Sequence, residues 1–290
     1  MIDMHLHLLP GVDDGAASLQ ESAAMLATLS SMGFDRLMLT PHLMEPLTEE
    51  YRQAVIGAMH VIDPLAAEQG VALALGFEHM LGPGIVRRLL QGEPSTLAGS
   101  HAVLVELPFI HWPADTAHNL FTLRDAGYTT ILAHPERYQD AVSNPQLLLD
   151  TIEHGAIPQL TTGSLVGLYG AAAQRLSRYV LAECLGRDLP LILSSDAHSN
   201  GRRLTSVADG LAWIRANLQL GDLIVSWATD AVPTQLLADE APQSFRAWLA
   251  TSHPGIAVPT AETYLAHGGG DAKASTGRGM LGRLFRSRQA

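Results

Sequence analysis

The sequence predicts an α/β fold in which a parallel sheet is covered by helices on both faces. Three observations predict it. Seven short apolar runs recur along the chain: "MIDMHLH", "DRLMLTPH", "VALALGFEH", "HAVLVELP", "TTILAHPE", "IPQLTTGS" and "LPLILSSDAH". Segments with apolar spacing near 3.6 lie between them. The runs are also close to continuous in apolar residues rather than alternating, the pattern of strands buried on both faces.

The elements follow in order. The first strand carries His5 and His7, which a two-residue repeat places on one side. Ser18 and Glu21 form a capping box that starts the first helix, residues 19–32, and Gly33 ends it. The second strand ends in His42, and a helix over 49–69 follows. The third and fourth strands end in Glu78 and Glu106, with a helix over 115–126 after the latter. The fifth ends in His134, before a helix over 145–154. The sixth ends in "TTGS", which offers only hydroxyls, and a helix over 171–185 follows. The seventh carries Asp196 and His198, again two apart. A closed barrel and an open doubly wound sheet both fit this order. No GxGxxG or Walker loop follows the first strand, which counts against an open nucleotide-binding sheet.

Composition narrows the class. The chain has 290 residues, 47% hydrophobic and 16% charged, enough for one large core or two modest ones. A net charge of −11 argues against nucleic acid as the main partner, because a phosphate backbone is bound by clustered Lys and Arg. The first residues carry no basic leader and no long uncharged apolar stretch appears, so the expected location is cytoplasmic. One cysteine, Cys184, permits no internal disulfide and reads as a packing residue in a helix.

Six of the seven strands end in a side chain that can ligate a metal. In parallel α/β architectures the C-terminal strand ends are where active sites assemble. His60, His101, His118, His154, His253 and His267 lie in helices, turns or the tail and read as caps or surface groups. His79 and His111 are borderline, and His79 points away from its neighbour Glu78 by strand alternation. Imidazoles and carboxylates without thiolate suit Zn, Mn or Fe, and five histidines with several acids exceed one tetrahedral ion. The set implies a multinuclear site and hydrolytic chemistry on a phosphoryl group.

These residues carry a resemblance. "DMHLH", "TPH", "GFEH", "VELP", "HPER" and "SDAH", in this order, resemble the PHP superfamily, named for polymerase and histidinol phosphatase domains. Within it, "IDMHLHLLPGVDDGA" and "AHPERY" resemble the manganese-dependent tyrosine-protein phosphatases of bacterial capsule and exopolysaccharide operons. The likeness covers residues 1–240, including "ATDAVPTQLLADE", which resembles the closing helix. It implies a distorted (β/α)7 TIM-like barrel with a cluster of three metal ions at its C-terminal mouth. The implied ligands are His5, His7, Asp14, His42, Glu78, Glu106, His134, Asp196 and His198, with Glu78 bridging. Mn2+ is the expected ion, with Fe and Zn as alternatives. Arg137 is expected to grip the phosphate, and Asp14 or a metal-bound water to protonate the leaving phenolate. Asp13 is expected to orient its loop rather than to ligate.

The implied reaction is phosphomonoester hydrolysis by a metal-bridged hydroxide. Cys184 is followed by "LGRDLPL", not by a C-x5-R phosphate loop, so a cysteine phosphatase is excluded. The implied partner is the phosphotyrosine tail of a membrane-associated bacterial tyrosine kinase. A small-molecule phosphoesterase and a non-catalytic kinase-binding subunit are the alternatives. After "TPH", Glu45, Glu49 and Glu50 form an acidic rim that would repel an acidic tail. Residues 241–290 extend past the likeness, with a flexible linker expected from about Gly268. Arg278, Arg283, Arg286 and Arg288 around Met280, Leu281, Leu284 and Phe285 form a basic amphipathic segment suited to peripheral contact with an anionic membrane. Nothing in the sequence stands against an oligomer.

Overall fold

The computed structural model describes residues 1–257 and 259. The linker from Gly268, His267 and the arginine-rich segment lie outside the described residues. The strands are β1 Ile2–Leu6, β2 Arg36–Leu39, β3 Ala72–Leu75, β4 Glu78–Met80, β5 Ala102–Glu106, β6 Thr129–Ala133, β7 Ile157–Thr161 and β8 Ile192–Ser194. The helices are α1 Leu19–Ser31, α2 Glu49–Glu68, α3 Pro83–Leu90, α4 Thr116–Asp125, α5 Gln139–Ser143 and α6 Pro145–Glu153. They continue with α7 Gly170–Gly186, α8 Arg202–Asn217, α9 Gly221–Ser226, α10 Val232–Leu237 and α11 Phe245–Ser252.

All strand pairs are parallel, in two sheets ordered β1-β2-β3 and β4-β5-β6-β7-β8. Isolated parallel bridges join the sheets at both seams, His42 with Glu78 and Leu6 with Ala197. Main-chain bonds reinforce the second seam, from His7 N to Ala197 O at 2.9 Å and from Asp196 N to His5 O at 2.9 Å. The buried Asp3 carboxylate completes it by accepting from Ser195 N at 3.1 Å. The third run was expected as one strand. It divides at Gly76 and Phe77, where the close approach of Leu97 leaves no room for a side chain: a Cβ on Gly76 would lie 2.4 Å from Leu97 Cδ2. That break sends Glu78 into the second sheet.

The strands bury both faces, as their composition requires: all five residues of β1 and of β5 are buried. Helix α1 starts where the capping box places it. Ser18 Oγ accepts from Glu21 N at 3.3 Å, while the Glu21 carboxylate reaches Ala17 N at 3.0 Å instead of the Ser18 amide. Gly33 follows with φ +92, a left-handed position that favours glycine. Past residue 240 the chain still packs: Phe245 lies edge-on to Trp227 with centroids 5.5 Å apart, and Trp227 Nε1 donates to Gln243 O at 2.9 Å. No helix among the described residues is long and apolar enough to cross a membrane.

Candidate metal centre

The ligands expected from the sequence lie in one cluster: most follow the C-terminal ends of strands, whereas Glu78 opens β4 and Asp14 lies in the loop after β1. His5 and His7 project from β1 and just beyond it, and their Nε2 atoms stand 3.2 Å apart. Each ring is held from behind. His5 Nδ1 lies 2.7 Å from Gln159 Oε1, and His7 Nδ1 lies 2.6 Å from Asp13 Oδ2. A neutral imidazole that donates through Nδ1 presents a bare lone pair at Nε2. Two such lone pairs therefore converge, with Glu78 Oε2 at 3.2 and 3.3 Å and Asp196 Oδ1 at 3.6 and 3.9 Å. All of these atoms are acceptors, and a cation between them is what such a donor set fits.

Glu78 is the centre of the cluster. It is 1% exposed, and its Oε1 lies 3.0 Å from His134 Nε2 while its Oε2 lies 3.1 Å from His42 Nδ1. That His42 nitrogen is buried without a hydrogen-bond partner, as expected of an atom that awaits a metal. Glu106 stands 3.8 Å from both His42 Nδ1 and His134 Nε2. On the outer side, Asp14 Oδ1 lies 3.4 Å from His42 Nε2 and 3.5 Å from His198 Nε2. The Asp14 side chain is 69% exposed, so it closes the solvent side. Four overlapping groups of potential ligand atoms result: His7, Asp14, His42, His198; His5, His7, Asp196; His5, Glu78, His134; and His42, Glu78, Glu106.

Local backbone strain aims two of these side chains. His134 has φ 34 and Asp196 φ 50, left-handed positions that non-glycine residues adopt at a cost of about 1–3 kcal/mol. His134 turns the chain out of β6 into the short turn Pro135–Arg137, which brings Arg137 over the mouth. Gly15 permits the close return of the "GVDDGA" loop, since a Cβ there would meet His7 O at 2.3 Å. Asp13 lies behind His7: its carboxylate stands 2.6 Å from His7 Nδ1 and accepts from His42 N at 3.1 Å and Gly15 N at 3.0 Å.

The electrostatics reflect crowding of buried acids and imidazoles. With the imidazoles protonated in place of a bound cation, His5, then His134 and His7 hydrogen-bonded to Glu78, hold its buried carboxyl well below the usual range; against their own burial, Glu78 raises His5, and Asp13 with Glu78 raises His7 to about 10. Burial, with the Glu78 carboxylate next to it, pushes Glu106 up to about 8. Asp196 is kept at about 2, because His5, His134 and Arg137 outweigh its burial. Burial and the neighbouring His7 lower His198 to about 4.

Arg137 sits beside this centre. Its Nη1 donates to Asp196 Oδ2 at 2.7 Å, and its guanidinium carbon lies 4.5 Å from the Phe109 centroid and 4.3 Å from that of Tyr169. Tyr169 Oη reaches Asp196 Oδ2 at 3.3 Å. Arg203 Nη1 stands 2.6 Å from His198 Nδ1 and donates to the Asp196 carbonyl at 3.3 Å.

Several of these residues escape sequence reasoning. The sixth strand was expected to offer only hydroxyls, yet its buried Gln159 orients His5, and its Oε1 also accepts from His134 N at 3.4 Å. A glutamine inside an apolar run was the available signal. Buried Glu136 accepts from Thr161 N at 2.9 Å and Ser164 Oγ at 2.7 Å, which anchors the turn that carries Arg137. Phe109 and Tyr169 gave no periodic signal, because loops bring them in, and Arg203 enters from the first turn of α8, which was not expected from the sequence. The bland histidines stay out of the cluster: His79 bonds Ser95 O at 2.9 Å, His101 pairs with Asp239 at 2.9 Å, and His154 Nδ1 lies 2.6 Å from Asp150 O.

Imidazoles and carboxylates converging beside an arginine define a parallel α/β protein with clusters of residues that could hold metal ions, a donor set suited to hydrolytic chemistry. Residues 1–224 match the family model described as capsular polysaccharide synthesis, CpsB/CapC, and the chain belongs to that family. It is 30% identical over 202 residues to the tyrosine-protein phosphatase YwqE of Bacillus subtilis, covering 69% of this chain and 78% of that protein. Over 207 residues it is 27% identical to the tyrosine-protein phosphatase CpsB of Streptococcus pneumoniae, covering 69% of this chain and 83% of that one. A crystal structure from work on YwqE and CpsB, described as unique metal-dependent tyrosine phosphatases, superposes with a TM-score of 0.69 at 26% identity, over 84% of this chain and 99% of that chain.

Proposed function

We propose that this protein is a metal-dependent protein-tyrosine phosphatase that dephosphorylates a bacterial tyrosine kinase controlling capsule or exopolysaccharide synthesis. The observation that carries the reading is the pair of Nε2 lone pairs of His5 and His7, 3.2 Å apart among buried carboxylates and next to Arg137. Family membership supports the substrate class.

His5, His7, Asp14, His42, Glu78, Glu106, His134, Asp196 and His198 are assigned as ligands of three ions, Mn2+ in the first instance and Fe or Zn as alternatives. When bound, such ions supply Lewis acidity at phosphoryl oxygens and a water acidic enough to act as nucleophile near neutral pH. The protein's own part is positional. Gln159 and Asp13 fix the tautomers and ring planes of His5 and His7. Arg137 spends one of its five donors on Asp196 and keeps the remainder for the phosphoryl oxygens. The aromatic faces of Phe109 and Tyr169 hold that guanidinium flat and shield it from water. Asp14, at the solvent edge, ligates as a carboxylate, so the departing phenolate, of pKa about 10, takes its proton from water at the site, a modest gain.

The two sheets are read as one distorted (β/α)7 barrel, supported by the bridges at both seams. Residues 1–240 are assigned to the phosphatase domain and 241–290 to an extension. We assign the protein to the cytoplasm. Assay of p-nitrophenyl phosphate and a phosphotyrosyl peptide, with and without Mn2+, tests the reading. Metal-dependent turnover of the peptide is expected. Preference for small phosphomonoesters favours the small-molecule reading, and no metal-dependent turnover overturns both.

A further inference from the structure

One exposed aromatic side chain at the mouth has no part in holding metal. Phe109 follows β5, in the loop "LPFIHW". Its ring stacks on His134 with centroids 5.5 Å apart and planes 29° apart, and it underlies the Arg137 guanidinium at 4.5 Å. Even so, it is 39% exposed, and its neighbour Ile110 is 69% exposed. His134, Arg137 and Tyr138, whose ring centroid is 6.0 Å away, thus cover the side chain only in part.

The loop is latched in place. Leu107 N donates to Tyr138 Oη at 3.0 Å, Gln139 N donates to Phe109 O at 2.8 Å, and Trp112 N donates to Asp140 Oδ2 at 2.7 Å. Tyr138 itself donates to Ala133 O at 2.6 Å and packs edge-on to Trp112. Three ties thus fix Phe109 to the segment that follows Arg137. A side chain held in one place loses little entropy when a ligand rests on it.

We infer that Phe109 is the aryl-recognition residue of the site, a platform on which the phenyl ring of an aryl phosphate packs while Arg137 holds the phosphoryl group. The inference rests on the phosphatase reading above. In an aryl phosphate one bridging oxygen separates the ring from phosphorus. A phosphoryl group at the Arg137 guanidinium therefore sets its ring within reach of the two aromatic side chains that flank that guanidinium, and of these Phe109 is the more exposed. Offset or edge-to-face packing of two rings contributes about 0.5–1.5 kcal/mol beyond area burial, or about 2- to 13-fold in affinity. An alkyl phosphate has no ring to place there. Ring packing is present before and during phosphoryl transfer, so it acts on KM more than on kcat.

The test compares p-nitrophenyl phosphate and phosphotyrosine with β-glycerophosphate, with the Mn2+-loaded full-length chain. For Phe109→Ala and Phe109→Leu the ratio of aryl to alkyl kcat/KM is expected to fall about 3- to 10-fold, mainly through a higher aryl KM. Phe109→Tyr, which keeps the ring, is expected to restore the ratio. Both replacements also withdraw the ring under the Arg137 guanidinium, so a shared loss on both ester classes is expected beside the fall in the ratio, and a ratio that rises overturns the inference. An unchanged ratio in both variants overturns it as well. Failure of the underlying reading looks different: the wild-type chain would turn over neither ester class with metal.

Discussion

Replacement of Arg137 by alanine separates phosphate handling from metal binding. In the folded protein its guanidinium makes one 2.7 Å bond to Asp196 and lies between two rings, at 4.5 and 4.3 Å. Loss of a preorganised donor aimed at developing charge costs about 10²–10³ in kcat, equivalent to about 2.7–4 kcal/mol. Loss of the two cation–π contacts, about 0.5–1 kcal/mol each, falls on stability and lowers Tm by a few degrees. Asp196 keeps its other neighbours, His5 at 3.6 Å and His198 at 3.5 Å, so the metal centre is expected to persist. The assay pairs initial rates on p-nitrophenyl phosphate with metal content per chain by plasma mass spectrometry. Arg137→Lys returns the charge without the planar fork and is expected to recover less than a tenth of the lost rate. An emptied metal site in Arg137→Ala, or a kcat within about fivefold of wild type, would refute this assignment.

Other perturbations give separable outcomes. His5→Ala and Asp196→Ala should each abolish activity and bound metal together, read by the same paired assay; activity retained without metal would contradict the ligand assignment. Gln159→Leu removes the acceptor 2.7 Å from His5 Nδ1 and should weaken metal affinity about 10- to 100-fold in a chelator titration, with the fold kept by circular dichroism. Burial pushes the Cys184 thiol well above its ordinary range, so the thiolate stays unpopulated at pH 8 and iodoacetamide should label the unfolded but not the native chain. Cys184→Ala should retain full phosphatase activity, and loss of chemistry with structure intact would revive a thiol mechanism. Glu45 and Glu50 are exposed after His42, and Glu45→Gln with Glu50→Gln should lower KM for an acidic phosphopeptide. Glu49 is engaged by Arg52 at 2.8 Å and should matter less.

Much of the site was legible because ligands at strand ends carry two signals at once. A histidine or acid that closes an apolar run is conspicuous, and period-two spacing pairs His5 with His7 and Asp196 with His198. Glu78 was legible as a strand-end acid, but not as the group that touches four imidazoles, since that depends on the break at Gly76. The break is a packing event against Leu97, far along the chain, which no local pattern encodes. Gln159 and Glu136 were missed for a related reason. They are buried polar groups whose partners, His5 and Ser164, come from other strands and turns. Helix α3, which opens with Pro83, and helix α8, whose first turn carries Arg203 beside the site, complete the helical layer. The acidic rim was visible as composition, whereas the neutralisation of Glu49 by Arg52 depends on the i, i+3 spacing in α2.

The central claim is that convergent acceptor atoms at this mouth hold metal ions that the phosphatase reaction requires. The most direct measurement takes the full-length chain stripped by chelator, adds Mn2+ in steps, and follows bound metal and phosphotyrosyl-peptide hydrolysis in the same samples. The stripped protein is expected to show no turnover, and activity is expected to rise with occupancy of more than one ion per chain. Turnover by the stripped protein at the loaded rate, or metal bound without any hydrolysis, would contradict it.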